Sequence, residues 1–342
     1  MQWSIRTAVR ALLALALPFA AVPVSAEPVP PPLELLHAPG NFLVAGVVND
    51  INPAGRVVFE RKEVLSGKPA PPALVDVRVP ASVLATAKPG ERYIVGYSMY
   101  RPNARLGKML ANPDGPTLLV SLGLEPALFR DAPAVRAILD AGRSEHGRES
   151  RRFHDLIMQA LGGGDPQLQN LAAGEIALDR ELFERVRKDG LANVERAARD
   201  PKTSVPARLL LLQTAATHAG YLGGWASAAA KEIVENTPVD GYSGGTSDLP
   251  GLVLAALEVL DLGKTEISAS SLQRWLHAAN PALVEQAAVM LRRVSPETER
   301  TAIADALSDP HLPAQGRLFL EDRLRRLDRQ AAAAKAQKDG SD

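Results

Sequence analysis

The hydrophobic pattern of the chain changes period once. "NFLVAGVV" (41–48) is an unbroken apolar run, and "RVVFERKEVLS" from Arg56 opens with Val57 and Phe59 on one side and Val58 on the other. "LVDVRV" (74–79) alternates at period two, "ERYIVGYSMY" (91–100) is rich in aromatic and β-branched residues, and "TLLVSL" (117–122) follows. These stretches predict five strands, with a short helix, "ASVLATAK", between the third and fourth, closed by Pro89-Gly90. From Ala132 onward apolar residues recur at spacings of three and four, as in "PAVRAILDAG", "ARLLLLQTAATHAG" and "ALVEQAAVMLRRV". Gly, Pro, Asp and Asn punctuate the run, which predicts roughly ten helices. The expected fold class is α+β: a small five-stranded β-barrel over 41–131, an all-α repeat domain over 132–330, and a frayed tail at 331–342.

The second strand carries the least ordinary pattern. Four consecutive charges, Glu60, Arg61, Lys62 and Glu63, follow its apolar start. As a strand, this places charge on both faces, which a doubly buried central strand does not tolerate. The segment therefore reads as an edge strand or projecting ribbon, where charge also blocks edge-to-edge association. Its far end is either a solvated edge or a recognition edge.

Two helical segments resemble each other. "DPQLQNLAAGEI" from Asp165 and "NPALVEQAAVML" from Asn280 share a capping Asp or Asn, Pro at the first helical position, and an Ala-Ala pair, Ala172-Ala173 and Ala287-Ala288. The cap accepts backbone N–H bonds, the proline presets the helical angle, and the alanines allow close helix approach. "DPKTSVPARLLLL" from Asp200 and "DPHLPAQGRLFL" from Asp309 make a looser pair. Within each half the motifs lie about 30 to 35 residues apart, near the period of helical-hairpin repeats. This pattern resembles HEAT-type α-repeats over about 150–328, which implies stacked helical hairpins and says little about activity. The strand order, with "FLVAGVV", "RVVFERKEVLSG" and "GERYIVGY", resembles an OB-fold and its netrin-like version over about 41–123. The cysteines of the netrin-like family are missing, so its inhibitory site maps onto no residue of this chain.

Ahead of the strands, Arg6 and Arg10 precede an apolar run from Ala11 to Val22, and Val24-Ser25-Ala26 comes before Glu27. This is the layout of a secretory leader, with cleavage expected after Ala26. The run is shorter than a membrane span requires, so no transmembrane anchor is expected after cleavage, and the mature chain is placed in the bacterial periplasm or outside the cell. The Pro-rich stretch at 27–40, "PVPPPLELL" within it, is expected to be an extended and mobile linker. The chain contains no cysteine, which rules out disulfides, thiolate nucleophiles and Cys-ligated zinc. Of the 39 basic and 39 acidic residues, only Arg6 and Arg10 lie in the leader. The mature chain is thus slightly acidic, and nucleic acid is not an expected partner.

Candidate chemistry is sparse. "DGYSGGTSD" (240–248) contains a G-x-S-x-G match centred on Ser243. A nucleophile elbow needs a strand entering it, whereas "ASAAAKEIVENTPVD" before it reads as a helix and a loop. Ser243 is thus a catalytic candidate set against a flexible inter-repeat loop that includes Tyr242, and Asp261 and His277 are the downstream residues a triad would need. "THAGYLGGWASAA" (217–229) gathers His218, Tyr221 and Trp225 around glycines, as either an aromatic ligand pocket or a packed helical corner. Its Gly220-x-x-Gly223-Gly224 lacks the Lys-Ser/Thr of a phosphate loop. None of the six histidines has a second at i+4, so no metal site is expected. The group Glu145, His146, Glu149, His154 and Asp155 reads as a charged linker, and Arg148, Arg151 and Arg152 as a solvated helix start. The amphipathic "QGRLFLEDRLRRLDRQ" is expected to cap the helical stack, the alternative being contact with an anionic membrane. Together these observations favour an exported, non-enzymatic binding or scaffolding protein without cofactor. Its expected partner is another envelope protein, met by Glu60–Glu63 and by His218, Tyr221, Trp225 and Tyr242. The alternative is a serine hydrolase using Ser243.

Overall fold

Strand β1 (Asn41–Asn52) is apolar without alternation because both of its faces are covered. Phe42, Val44 and Val48 point into a cluster with Val57, Phe59, Val75, Val77, Tyr93, Val95 and Tyr97. Leu43 and Ala45, of opposite parity, join Ile94, Phe129 and the helices in a second and larger core. In this computed structural model the described residues are 29–52, 55–67, 72–99, 117–122, 125–186, 188–218, 224–239 and 249–339. The chain divides into two compact units, Met1–Pro30 and Pro31–Asp342, and the sheet and all the described helices belong to the second. The expected leader and its cleavage point fall outside the described residues.

The sheet is antiparallel and follows the order β3-β2-β1-β4-β5, with β2 Arg56–Ser66, β3 Leu74–Arg78, β4 Arg92–Met99 and β5 Thr117–Leu119. A sixth strand, β6 (Leu128–Arg130), pairs with β4 at Tyr93–Val95. At three residues it is too short to show a period. The expectation of a closed barrel is corrected: β3 and β5 curl towards each other but share no ladder, and the sheet stays open between them. Closure needs a continuous hydrogen-bonded seam, whereas β5 bonds only to Tyr97–Met99 of β4.

The Pro-rich stretch is not extended and mobile over its second half. Pro32–Leu36 forms one helical turn, α1, with Pro32, Leu33 and Leu36 buried. Pro at the first helical position costs nothing there, because that N–H has no intrahelical partner in any case. Three glycines clear space for α1. A Cβ on Gly96 would lie 2.4 Å from Leu36 Cδ1, one on Gly142 2.4 Å from Leu33 Cδ1, and one on Gly174 2.8 Å from Pro32 Cγ. The turn is thereby wedged between the sheet and the helices.

A short helix, α2 (Ala81–Thr86), joins β3 to β4, and α3 (Pro133–Ala141) and α4 (Glu145–Arg148) lead into the helical half. There the helices form two layers. The first comprises α5 (Arg151–Leu161), α8 (Lys188–Arg199), α10 (Ala226–Asn236), α12 (Ala269–Gln273) with its 3-10 extension Arg274–His277, and α14 (Pro296–Ser308). The second comprises α6 (Pro166–Leu178), α9 (Val205–Thr217), α11 (Leu249–Leu262), α13 (Pro281–Val294) and α15 (Ala314–Asp339). A further short helix, α7 (Arg180–Arg185), packs on α6. Each second-layer helix packs on the next in order, α6 on α9, α9 on α11, α11 on α13 and α13 on α15.

Both capping motifs seen in the sequence open second-layer helices. Asp165 accepts from Gln167 N at 2.9 Å and Asn280 from Ala282 N at 2.9 Å. The alanine pairs Ala172-Ala173 and Ala287-Ala288 are fully buried. The looser pair is equivalent in detail. Asp200 accepts from Lys202 N and Asp309 from His311 N, both at 2.9 Å, before helices that start at Val205 and Ala314. Eight residues after each aspartate an arginine reaches back to the carbonyl two residues before it: Arg208 Nε to Ala198 O at 3.1 Å, and Arg317 Nη1 to Leu307 O at 2.8 Å.

Candidate functional site

The charged run of β2 lies where its support changes. Residues Arg56–Glu60 pair with β3 on one side and β1 on the other, but beyond Glu60 the ladder continues only to β1. Register shifts between Ala45 and Gly46 and between Leu43 and Val44 insert Lys62 and Leu65 as extra residues of β2, and such bulges interrupt strict alternation. Glu60 lies within both ladders and Arg61 N still donates to Ala73 O at 2.8 Å, so only Lys62 and Glu63 fall where β3 no longer pairs with the strand.

Most of these charges are matched within the molecule. Lys62 Nζ bonds Glu60 Oε1. Glu63 Oε2 accepts from Arg136 Nη1 at 2.8 Å, and the same guanidinium grips both oxygens of Asp131 at 2.6 and 2.9 Å. That bond to Arg136 holds the Asp131 carboxyl below its ordinary value, and the two carboxylates raise Arg136. Arg136 on α3 therefore ties the strand edge to the helical half. Arg61 is only partly exposed; its Nε is buried without a partner among the described residues, as is the Tyr97 hydroxyl. Burial pushes that hydroxyl up to about 12, against the pull of Arg61.

At the second candidate surface, His218 ends α9 in an exposed position, its N–H donating to Thr214 O at 2.9 Å. Trp225 starts α10 with its ring in the core, and its Nε1 has no partner among the described residues. One side chain faces solvent and the other the interior. Tyr221, Tyr242 and Ser243 lie outside the described residues. Of the two downstream residues a triad would need, Asp261 pairs with Arg293 at 3.4 Å and His277 Nδ1 lies 3.1 Å from Asp309 Oδ2.

Three polar constellations are hard to see in the sequence. Glu175 on α6 is completely buried; its Oε1 accepts from Leu33 N of α1 at 2.6 Å and its Oε2 has no partner among the described residues. Burial pushes this carboxyl up to about 8, against the backbone bond that lowers it. Asn170 links Glu125 Oε1 (2.6 Å) to Ser204 Oγ (2.5 Å), and Ser204 N donates to Gln169 Oε1 at 2.8 Å, joining α6 to the start of α9. A cleft of about 220 Å³ between α5 and α8 is lined by Arg151, His154, Asp155, Arg185, Asp189 and Asn193. His154 Nε2 is buried without a described partner; burial first and Arg185 second hold its pKa below the ordinary value. Among the described residues no group of three or more His, Asp or Glu is arranged to hold a metal ion, and no helix is long and apolar enough to cross a membrane.

Compared with protein-family models, with curated proteins and with solved structures, the chain shows no significant match.

Proposed function

We propose that the protein is an exported, non-enzymatic binding or scaffolding protein of the bacterial cell envelope, built from an OB-like sheet and a stack of HEAT-type helical hairpins. The observation that carries this reading is the packing order of the second-layer helices. Each rests on its neighbour, as repeats do when they present an extended surface. The matched pairs Asp200/Arg208 and Asp309/Arg317 support descent from one repeated unit. The OB-like reading rests on strand order and on the enclosed cluster around Phe59, Tyr93 and Tyr97. The leader composition supports export. Contact with another envelope protein is assigned to the helical surface and to the β2 edge at Glu60–Glu63.

The competing reading, a serine hydrolase centred on Ser243, draws on the G-x-S-x-G match alone. A fluorophosphonate probe on the purified mature protein separates the two. An inert protein fits the binding reading, and labelling abolished by Ser243→Ala replaces it. Affinity capture from envelope extracts with the intact mature chain then identifies the partner.

A further inference from the structure

Helix α11 ends in an unusual way. Lys264 has φ 48°, the only positive φ at a non-glycine residue among those described. Thr265 N donates to Leu260 O at 2.9 Å and Lys264 N to Asp261 O at 3.1 Å. This pair of bonds closes a helix through a left-handed residue, a position that glycine normally fills because a Cβ crowds the backbone there. Retention of a strained residue at a helix end points to a use for its side chain.

That side chain lines a wide, open groove of about 670 Å³. Lys231 of α10 and Arg293 at the end of α13 line it as well, so cations from two successive hairpins meet there, with Glu266 as the one acid in the lining itself. Arg293 is engaged by Asp261, its Nη1 donating to Asp261 O at 3.2 Å, and Lys231 lies 4.0 Å from Glu235. Lys264 forms no ion pair with any described residue. Buried Ile267 and half-exposed Val294 add an apolar lining.

We infer that this groove is a docking surface for an acidic, partly apolar peptide segment of a partner protein. One exposed ion pair contributes little, so a groove this open gains useful affinity only from several carboxylates on one chain. The apolar lining matches a peptide that carries aliphatic residues between its acids. Glu266 within the lining opposes a uniformly anionic surface such as a membrane. The inference rests on the binding-protein reading and names the kind of partner.

The test uses the full mature chain and a fluorescein-labelled ten-residue peptide of alternating Glu and Leu, followed by anisotropy. The wild type binds it, more weakly as salt rises, and does not bind the same peptide with Lys for Glu. Lys264→Gly weakens binding about threefold while the melting temperature holds or rises by about 2 °C, because glycine relieves the left-handed strain. Lys231→Gln with Lys264→Gly weakens binding at least tenfold. Wild-type affinity in Lys264→Gly, equal binding of the Lys peptide, or Lys264-dependent binding to phosphatidylglycerol vesicles in place of the peptide overturns the inference. Capture of the same envelope partner by wild type and double variant removes the groove assignment and leaves the binding-protein reading standing. Ser243-dependent fluorophosphonate labelling removes that reading and leaves the peptide titration to be judged by itself.

Discussion

Glu175 is a carboxyl group for which ionisation costs most of its environment. Its pKa lies at about 8 in the fold, against an ordinary value of 4.5. Below pH 4.5 it is protonated in both the folded and unfolded chain. Between pH 4.5 and 8 only the unfolded chain releases its proton, so its contribution to stability falls as pH rises through that window, by at most about 1.4 kcal/mol per unit. Glu175→Gln keeps the acceptor for Leu33 N and abolishes the titration. The expected result is a variant that melts above the wild type at pH 8 and matches it at pH 4, measured by circular dichroism; equal pH profiles would refute it. Nothing in "NLAAGEIAL" marks this glutamate as buried, because its burial depends on α1, which arrives from the far end of the chain. The expected edge strand at Glu60–Glu63 is an edge only from Lys62 onward, because β2 lies between β3 and β1 in the sheet. The partner of Glu63, Arg136, was not legible, since a salt bridge across 73 positions leaves no local pattern.

At the scale of elements, the repeated arginine bonds give a paired test. Arg208→Ala and Arg317→Ala each strip bonds from carbonyls at a hairpin corner, and each is expected to cost about 1–3 kcal/mol in urea unfolding. The two sites lie in separate hairpins, so the costs should add; a large difference between them would argue against equivalent roles. The seat of α1 gives another. Gly96→Ala places a methyl against Leu36 and Ala127, and overpacking of this kind costs about 1–3 kcal/mol. The loss should be smaller in a chain truncated through Leu36, where only the contact with Ala127 remains, than in the full chain, which thermal melts of the four combinations would show. Strands β1 to β5 and the second-layer caps were readable because their signals are local: alternation, β-branching, Asp-Pro and Asn-Pro. Helix α1 was misread because Pro-rich composition signals extension, whereas the three glycines that receive it lie elsewhere in the sequence.

Across the whole molecule, one face of the sheet shares its core with the helices. Leu43, Ala45 and Ile94 pack in the same cluster as Val135, Ile138 and Leu171, and Arg136 bridges the two parts at the surface. Unfolding is therefore expected to occur in one transition: tryptophan emission, which reports the helical half through Trp225 and Trp275, should coincide with the far-ultraviolet signal of the whole chain. Two separated transitions would show that the halves are independently stable. The change of hydrophobic period near Ala132 located the join, but the sequence carries no signal that the sheet's outer face is greased by helices. That follows only from the parity of β1 once its neighbours are known.

The wedged turn at Pro32–Leu36 also governs the order of assembly. Synthesis delivers this segment well before its partner Glu175, which lies 142 positions downstream of Leu33, and Gly142 and Gly174 come later as well. These leucines must wait, greasy and unhoused, until the 142 positions to Glu175 have followed them. Closing so long a loop is slow. A latch that shuts late is thus a piece made early, and a chaperone that shelters those leucines in the interval would raise the yield of folded protein.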